Sequence, residues 1–204
     1  MSTGNDRALS NARARRFMLS IQDVMGQSGL TTVLRQAGLQ RYTSALPPSD
    51  GSTGLLASEY AALMQAIENY YGRGARGTLT RIGYASFKRL VDSQRLRARL
   101  VHLLLRALPL AARRLWVLRW LASQNGGPAG RARVHLDDHN VAFVDTESLG
   151  TAGRQRESAI CWVTLGELQE ALKWGTGREH DVAELSCKAS GAGACRFEVG
   201  APVG

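Results

Sequence analysis

From residue 17 to residue 121, apolar residues recur every three or four positions, which is the spacing of amphipathic helices. Gly26 and Gly29 interrupt the first run and predict two short helices there. Ser58 begins a capped amphipathic pattern that ends near Gly72. A leucine-rich segment follows, and Pro109 is expected to kink or split it. The pattern therefore predicts a helical part over residues 17–122.

The period of the pattern changes after a turn-rich segment near residue 127. Residues 131–146 alternate between apolar and polar positions, with 137–140 as the predicted hairpin turn. An amphipathic helix and two further strands follow, which gives a mainly β part over 131–200. We therefore predict a single α+β domain, 17–204, in which N-terminal helices pack on a C-terminal antiparallel sheet. Residues 1–16 are polar and basic, and they are predicted to be a disordered tail or the fraying start of a helix.

The chain has 204 residues and a formal net charge of +9, which raises the question of nucleic-acid binding. Its arginines are spread along helical segments, and no zinc-finger spacing, RNA-binding aromatic signature or convincing helix-turn-helix accompanies them. Direct nucleic-acid binding is therefore not expected. Arginines interrupt the leucine-rich segment, so no transmembrane segment is expected. Without a signal peptide either, the sequence predicts a cytoplasmic protein.

All three cysteines lie in the last 45 residues, and the odd number argues against a disulfide framework. Together with Glu184, the thiols of Cys161, Cys187 and Cys195 could form a tetrahedral cage for one metal ion, with zinc as the expected ion. Glu184 precedes Cys187 by three positions, so in a regular strand the two side chains would lie on opposite faces unless a bulge intervenes. The alternative is that the cysteines are buried as small apolar side chains and Glu184 lies on the surface. Spacing alone leaves both interpretations open.

Aromatic and apolar side chains of both halves could line a ligand pocket between the helices and the sheet. Ordinary core packing is the alternative for any one of them taken alone. We expect His102, in the leucine-rich segment, to be a satisfied core or surface histidine rather than to face a cavity. The candidate pocket residues are Trp116, Trp120, Phe143, Trp162, Leu165 and Val182.

Residues 184–199 read ELSCKASGAGACRFEV, in which Glu-x2-Cys is followed by a glycine-containing loop and then by Cys-Arg-Phe. This segment resembles the C-terminal signature of the 4-vinyl reductase domain family, also described as hydrocarbon-binding proteins, and the similarity is clearest over 159–200. The resemblance implies a fold similar to that of the TRAPP vesicle-tethering subunits. It is also similar to the input domains of phenol- and toluene-sensing activators, which implies a zinc held by Cys161, Glu184, Cys187 and Cys195.

Four protein ligands would leave no open position on the zinc, so the ion is expected to be structural. The function expected from the resemblance is a zinc-containing sensor or carrier of a hydrophobic or aromatic small molecule, with output through a partner protein and a homodimer left open. The alternative function is a tetrapyrrole vinyl reductase of the bacteriochlorophyll type, or an accessory factor of one. The sequence has no dinucleotide or flavin motif and no evident acid–base pair, which argues against an enzyme without deciding the question.

Overall fold

The computed structural model of the chain describes residues 7–126, 130–136 and 140–203, and it has the predicted order of helices before sheet. The helices are α1 (Asn11–Gln36), α2 (Ala57–Tyr71), α3 (Ala75–Ser93), α4 (Arg95–Arg106), α5 (Leu110–Gly126) and α6 (Trp162–Thr176). The strands are β1 (Ala8–Ser10), β2 (Thr53–Leu56), β3 (Ala132–Leu136), β4 (Val141–Asp145), β5 (His180–Ser186) and β6 (Cys195–Pro202). The predicted α+β class, with N-terminal helices on a C-terminal antiparallel sheet in a single domain, is confirmed.

The main sheet has the strand order β3-β4-β6-β5, and every neighbouring pair is antiparallel. Burial alternates along β5 and most of β6, as expected for strands with one covered face, whereas three successive residues of β4 are buried. Phe143 of β4 and Phe197 of β6 are direct cross-strand partners, both fully buried, with their ring centroids 6.2 Å apart. Strands β1 and β2 form a separate two-stranded sheet.

Two apolar clusters form the core, and helix α3 contributes to both of them. Leu79 and Ile82 of α3 pack with α1 and α2, whereas Phe87 and Leu90 pack with α5, α6 and the sheet. Trp162, at the start of α6, also contacts both clusters. Because the clusters share these elements, the helices and the sheet belong to one domain.

Helices α3 and α6 approach each other at a pair of glycines. A Cβ atom at Gly83 would overlap the backbone of α6 at Val163, and one at Gly166 would overlap the backbone of α3 at Thr80. Only residues without a Cβ allow the two backbones to pack this closely. The contact fixes the start of α6, where Cys161 lies, against α3.

The prediction of a disordered tail over 1–16 is corrected for the residues that the structure describes, which begin at Arg7. Ala8–Ser10 pairs with β2, and α1 begins at Asn11 with the Ser10 side chain as its N-cap. The guanidinium of Arg13 donates to the side-chain oxygen of Asn125 at 2.9 Å. Arg7 also donates to the Asn125 carbonyl oxygen at 2.8 Å, and Arg15 donates to that of Pro47 at 2.9 Å. These basic residues are therefore held by acceptors of the folded domain and do not form a solvated tail.

Two of the predicted helix breaks are confirmed. The backbone of Gly26 is non-helical, with φ 72° and ψ 173°, so α1 consists of two helical segments that meet at a kink there. The split at Pro109 is confirmed, since α4 ends at Arg106 and α5 begins at Leu110. The predicted turn at 137–140 lies mostly outside the described residues. Within the described part of the chain, no helix is long and apolar enough to cross a membrane.

Candidate functional site

The four side chains proposed as metal ligands converge at one end of the main sheet. Cys161 is the N-cap residue of α6, Glu184 lies in β5, Cys187 follows that strand and Cys195 begins β6. One ligand atom from each residue lies within 4.8 Å of the others. The Sγ atom of Cys161 is 3.8 Å from that of Cys187 and 3.4 Å from that of Cys195. These separations are too long for disulfides, and all three cysteines are free and buried.

A shift in strand register allows Glu184 and Cys187 to share this site. The pairing of β5 with β6 is regular from Val182 to Glu184 and then shifts between Glu184 and Ser186. Such an irregularity changes the face of the sheet on which the following residues lie, so Cys187 can lie on the same side as Glu184. The three-residue spacing therefore does not prevent the two side chains from sharing a site.

The Glu184 carboxylate is held by one oxygen and leaves the other without a partner. Oε2 accepts a hydrogen bond of 2.9 Å from the backbone N–H of Cys161. Oε1 is buried and has no hydrogen-bond partner among the described residues. Burial raises the pKa of Glu184 to about 7, because the charged form is poorly solvated there. A buried oxygen without a partner is uncommon, and a cation would satisfy it.

The sulfur atoms polarise one another. The Cys161 thiol hydrogen-bonds to the sulfurs of Cys187 and Cys195, which raises the pKa of Cys161 and lowers the pKa of Cys187. The backbone N–H of Lys188 also points at Cys195 Sγ, at 3.4 Å. The cluster therefore favours thiolate character at Cys187, and thiolate is the form in which cysteine binds metal.

The six predicted pocket residues divide between the core and the surface. Phe143, Leu165 and Val182 are buried in the core, and Trp120 and Trp162 pack against it. Trp116 is 36% exposed and stacks on Trp120 at 6.2 Å between ring centroids. None of the six lines either cavity described next, so their role in a pocket stays a prediction.

A cleft of about 580 Å³ lies between α3, α4 and α6, where the sequence had indicated only an ordinary histidine. The Nδ1 atom of His102 is buried beside it and has no hydrogen-bond partner among the described residues. The indole of Trp174 lies 5.4 Å from the His102 ring, centroid to centroid. The residues that line the cleft are Val91, Asp92, Arg95, Ala98, Arg99, His102, Leu103 and Trp174. The helical spacing of His102 with Ala98 and Arg95 indicated that the three side chains share one side of a helix. Nothing in the sequence indicated that Trp174 lies opposite His102 across the cleft.

A second cavity, of about 30 Å³, lies in the interior and is largely polar. Glu167 is held there by Ser86 at 2.7 Å and by Asn125 at 3.2 Å. Burial lowers the pKa of Arg16 and raises the pKa of Tyr60, which also line the cavity. The cavity has room for about one or two water molecules and not for an organic ligand.

Solved structures with a similar fold are H-NOX domains. The chain is 13% identical to a variant of Tt H-NOX over 96% of this chain and 97% of that one, with a TM-score of 0.58. It is 11% identical to an H-NOX protein from S. oneidensis in the Fe(II)NO ligation state, over 93% and 99% of the two chains, with a TM-score of 0.58. An oxygen-binding H-NOX domain related to soluble guanylate cyclases, as its oxygen complex, is 12% identical over 90% and 89%, with a TM-score of 0.53. At these identities the likeness shows the fold.

No protein-family model matches the chain. No curated protein matches it either.

These findings correct the family assigned from residues 159–200. The resemblance to the 4-vinyl reductase family and its TRAPP-like and phenol-sensing relatives is wrong, since the similar solved structures are H-NOX domains. The functions it implied are wrong with it, both the zinc-containing carrier or sensor of hydrophobic ligands and the tetrapyrrole vinyl reductase. The structural zinc is likewise unsupported, because the cofactor named for the similar family is haem. The physical reason is that the motif covers one hairpin and one helix start, which do not determine the arrangement of the whole chain.

Proposed function

We propose that this chain is a haem-binding sensor domain for a diatomic gas. The observation that carries the proposal is the buried, unpartnered Nδ1 of His102 beside a cleft of about 580 Å³. The fold supports it, because the similar S. oneidensis protein was solved with NO on its iron and another similar domain with oxygen. Output to a partner protein is part of the proposal, since the described residues form a single domain without a recognised catalytic motif.

The residues of the cleft fit the chemical needs of a haem. Histidine is a common ligand to haem iron, and His102 has a nitrogen that no described residue engages. Val91, Ala98 and Trp174 supply apolar walls, and the guanidinium groups of Arg95 and Arg99 can pair with propionates. Arg95 lies 3.4 Å from the Asp92 carboxylate, which lines the same cleft, so Arg95 would share its charge between Asp92 and a propionate. The cleft volume lies within the ordinary range for ligand sites, whereas the interior cavity of about 30 Å³ is far too small.

The other described histidines fit less well. His180 is buried, with Nδ1 at 3.3 Å from the Gly200 carbonyl oxygen and Nε2 at 3.2 Å from Thr176 Oγ1, so both ring nitrogens are engaged. His135 is exposed on β3, beside the arginine side chains of the same strand region. His102 is therefore the residue that would hold the iron.

Each group of the cleft would have a separate task. His102 would supply a nitrogen to bind the iron, and Arg95 and Arg99 would bind the carboxylate groups of the haem. Trp174, which also contacts Phe87 with ring centroids 6.0 Å apart, would cover one face and exclude water. When bound, haem supplies the iron at which a diatomic gas coordinates.

Reconstitution with haemin tests the proposal. The purified chain should take up about one equivalent and show a sharp Soret band that shifts when the reduced protein meets NO or CO. His102→Ala should abolish the band, and added imidazole should restore it in part. His135→Ala is the matched control and should behave like the unmodified chain. Weak, superstoichiometric haemin binding that is the same in all three proteins would contradict the proposal.

We also propose that Cys161, Glu184, Cys187 and Cys195 bind one metal ion. The supporting observation is the convergence of three buried sulfurs on a carboxylate oxygen that lacks a partner. The donor set is soft and anionic, which favours a thiophilic transition-metal ion, and elemental analysis is to identify it. This site is separate from the His102 cleft, so failure of either proposal leaves the other standing.

A further inference from the structure

Helix α4 presents a row of leucines to solvent. Four leucines of this helix have most of their surface in contact with solvent: Leu96 is 77% exposed, Leu100 64%, Leu103 63% and Leu104 71%. A contiguous group of exposed apolar side chains, unlike a single one, is uncommon on a protein surface. They are separated by four, three and one positions, so they form one stripe along the helix. We call these four residues the leucine stripe. Its exposure leaves a contiguous apolar surface without a partner among the described residues.

The opposite face of α4 is the one that attaches the helix to the domain. Ala98 and Leu105 are buried there, and His102 faces the cleft beside Trp174. These residues lie on the side of the helix away from the leucine stripe, as a repeat of 3.6 residues per turn requires. The stripe is therefore not needed to hold α4 in place.

Arginines border the leucine stripe on both sides. With 3.6 residues per turn, Arg99 and Arg106 lie along one border and Arg97 along the other. Helix α4 contains no acidic residue, and the whole chain carries a net charge of +9. At the end of the helix, the guanidinium of Arg113 donates to the Leu108 carbonyl oxygen at 2.7 Å and brings one more positive charge to this surface.

We infer that the leucine stripe docks on an anionic lipid surface, with α4 lying in the plane of the interface. An apolar helix face bordered by arginines is the pattern of interfacial helices, in which the apolar side chains enter the acyl boundary and the cations meet anionic headgroups. Long arginine side chains can extend their guanidinium groups to the headgroups while their stems cover the leucines. Arg99 and Leu103 also line the His102 cleft. The experiment therefore substitutes Leu100, Leu104 and Arg97, which do not line it.

Charge decides between this surface and a second copy of the chain. Two copies meeting through the leucine stripe would place Arg97, Arg99 and Arg106 of one beside those of the other, with no acidic residue in α4 to compensate. Like charges brought together in this way oppose association. An anionic bilayer offers both an apolar layer and the complementary charge.

Co-sedimentation with vesicles tests the inference. The full chain is mixed with vesicles of phosphatidylcholine alone and with vesicles of equal parts phosphatidylcholine and phosphatidylglycerol, at about 0.1 M and about 1 M salt. Binding should be strong only with the anionic vesicles at low salt. The double variant Leu100→Ser/Leu104→Ser should bind on the order of tenfold more weakly or worse, because it lacks two leucines that would enter the bilayer. Arg97→Gln should weaken binding with the stripe intact.

Leu136→Ser and Leu185→Ser are the matched controls, since these leucines are 53% and 57% exposed on the sheet. Both should bind vesicles like the unmodified chain, and all variants should keep its melting temperature. Three results would overturn the inference: no binding to anionic vesicles, binding that falls with salt but ignores the leucine substitutions, or a dimer in solution that Leu100→Ser/Leu104→Ser dissociates. The last would show that a second copy covers the stripe.

Discussion

The backbone N–H of Cys161 donates a 2.9 Å hydrogen bond to Oε2 of Glu184, which joins the start of α6 to the edge strand β5. The same contact orients the carboxylate, because it occupies one oxygen and leaves Oε1 buried without a hydrogen-bond partner among the described residues. One oxygen of this carboxylate lies within 4.8 Å of the three cysteine sulfurs. Cys161 thus contributes to the cluster in two ways, through its backbone N–H and through its thiol. A substitution of Glu184 can keep the hydrogen bond from the backbone N–H while it changes the charge beside the thiol.

Glu184→Gln should weaken metal binding while preserving the contact with Cys161. The amide oxygen of glutamine can still accept the N–H hydrogen bond, but the negative charge and one anionic ligand are lost. Substitution of residues that only hydrogen-bond to a metal ligand typically lowers metal affinity about 10–100-fold. Loss of the Glu184 ligand itself should therefore lower the affinity for the metal at least roughly tenfold. Elemental analysis and competition with a chelator measure the change.

Glu198→Gln is the control for this experiment, because Glu198 lies in the adjacent strand, opposite Ala183 of β5. It should retain the metal content of the unmodified chain. Cys187→Ser should lose both the metal and the chelator-induced drop in melting temperature, since metal binding and folding are coupled at such sites. If the freshly purified chain contains no metal and chelator leaves its melting temperature unchanged, the proposed metal centre is wrong.

The contact between α3 and α6 predicts opposite effects for two glycine substitutions in one helix. Gly83→Ala places a methyl group against the α6 backbone and should lower the free energy of unfolding by about 1–3 kcal/mol. Gly77→Ala, where a Cβ meets nothing within 4 Å, should raise it by roughly 0.5–1 kcal/mol, because alanine restricts the unfolded chain. Urea denaturation measures both. Equal effects at the two positions would contradict the close packing.

Local sequence patterns predicted where the helices and strands lie more accurately than they predicted which of these elements contact each other. The helical spacing, Pro109 and the alternation of β3 and β4 all carry information within a few neighbouring residues. The N-terminal arginines were misread because their acceptors are remote in the sequence. Arg13 reaches Asn125, more than a hundred residues away, and nothing near Arg13 indicates that partner.

The two candidate sites differ in the same way. Cys187 and Cys195 are close in the sequence, and their hairpin made the metal cluster predictable before its geometry was known. The His102 cleft depends on Trp174, which lies 72 positions later on another helix. The family likeness failed for a related reason: a short cysteine motif reports the local needs of a cluster, whereas the fold depends on packing such as that of Gly83 on Gly166.

Breaking the ion pair of Arg154 and Glu68 should be costly. Their side chains are only 7% and 12% exposed, and the two groups lie 2.5 Å apart between α2 and the loop before α6. Glu68→Gln leaves the Arg154 charge buried without its counter-ion, so the free energy of unfolding should fall by about 3 kcal/mol. Chemical denaturation measures this. Glu179→Gln breaks the pair with Lys173, which is mostly exposed, and should have little effect. A similar small loss in both variants would show that the Arg154 pair is well solvated.

His180 should make the domain less stable as the pH falls. Burial lowers the pKa of His180 below its ordinary 6.5, and the nearby Arg114 and Arg178 act in the same direction. The unfolded chain therefore binds a proton at this residue before the folded chain does. By linkage, the free energy of unfolding is unaffected by His180 above pH 6.5, and it declines as the pH decreases below that value towards the folded pKa.

His180→Gln isolates this contribution, because glutamine can still make hydrogen bonds but does not titrate in this range. The difference in unfolding free energy between the unmodified chain and the variant should change with pH below 6.5 and be constant above it. His135→Gln, at an exposed position on β3, is the control and should keep the pH dependence of the unmodified chain. If the difference for His180→Gln is the same at every pH, the folded chain protonates His180 as readily as the unfolded chain. The histidine would then not be held neutral by burial between Thr176 and Gly200.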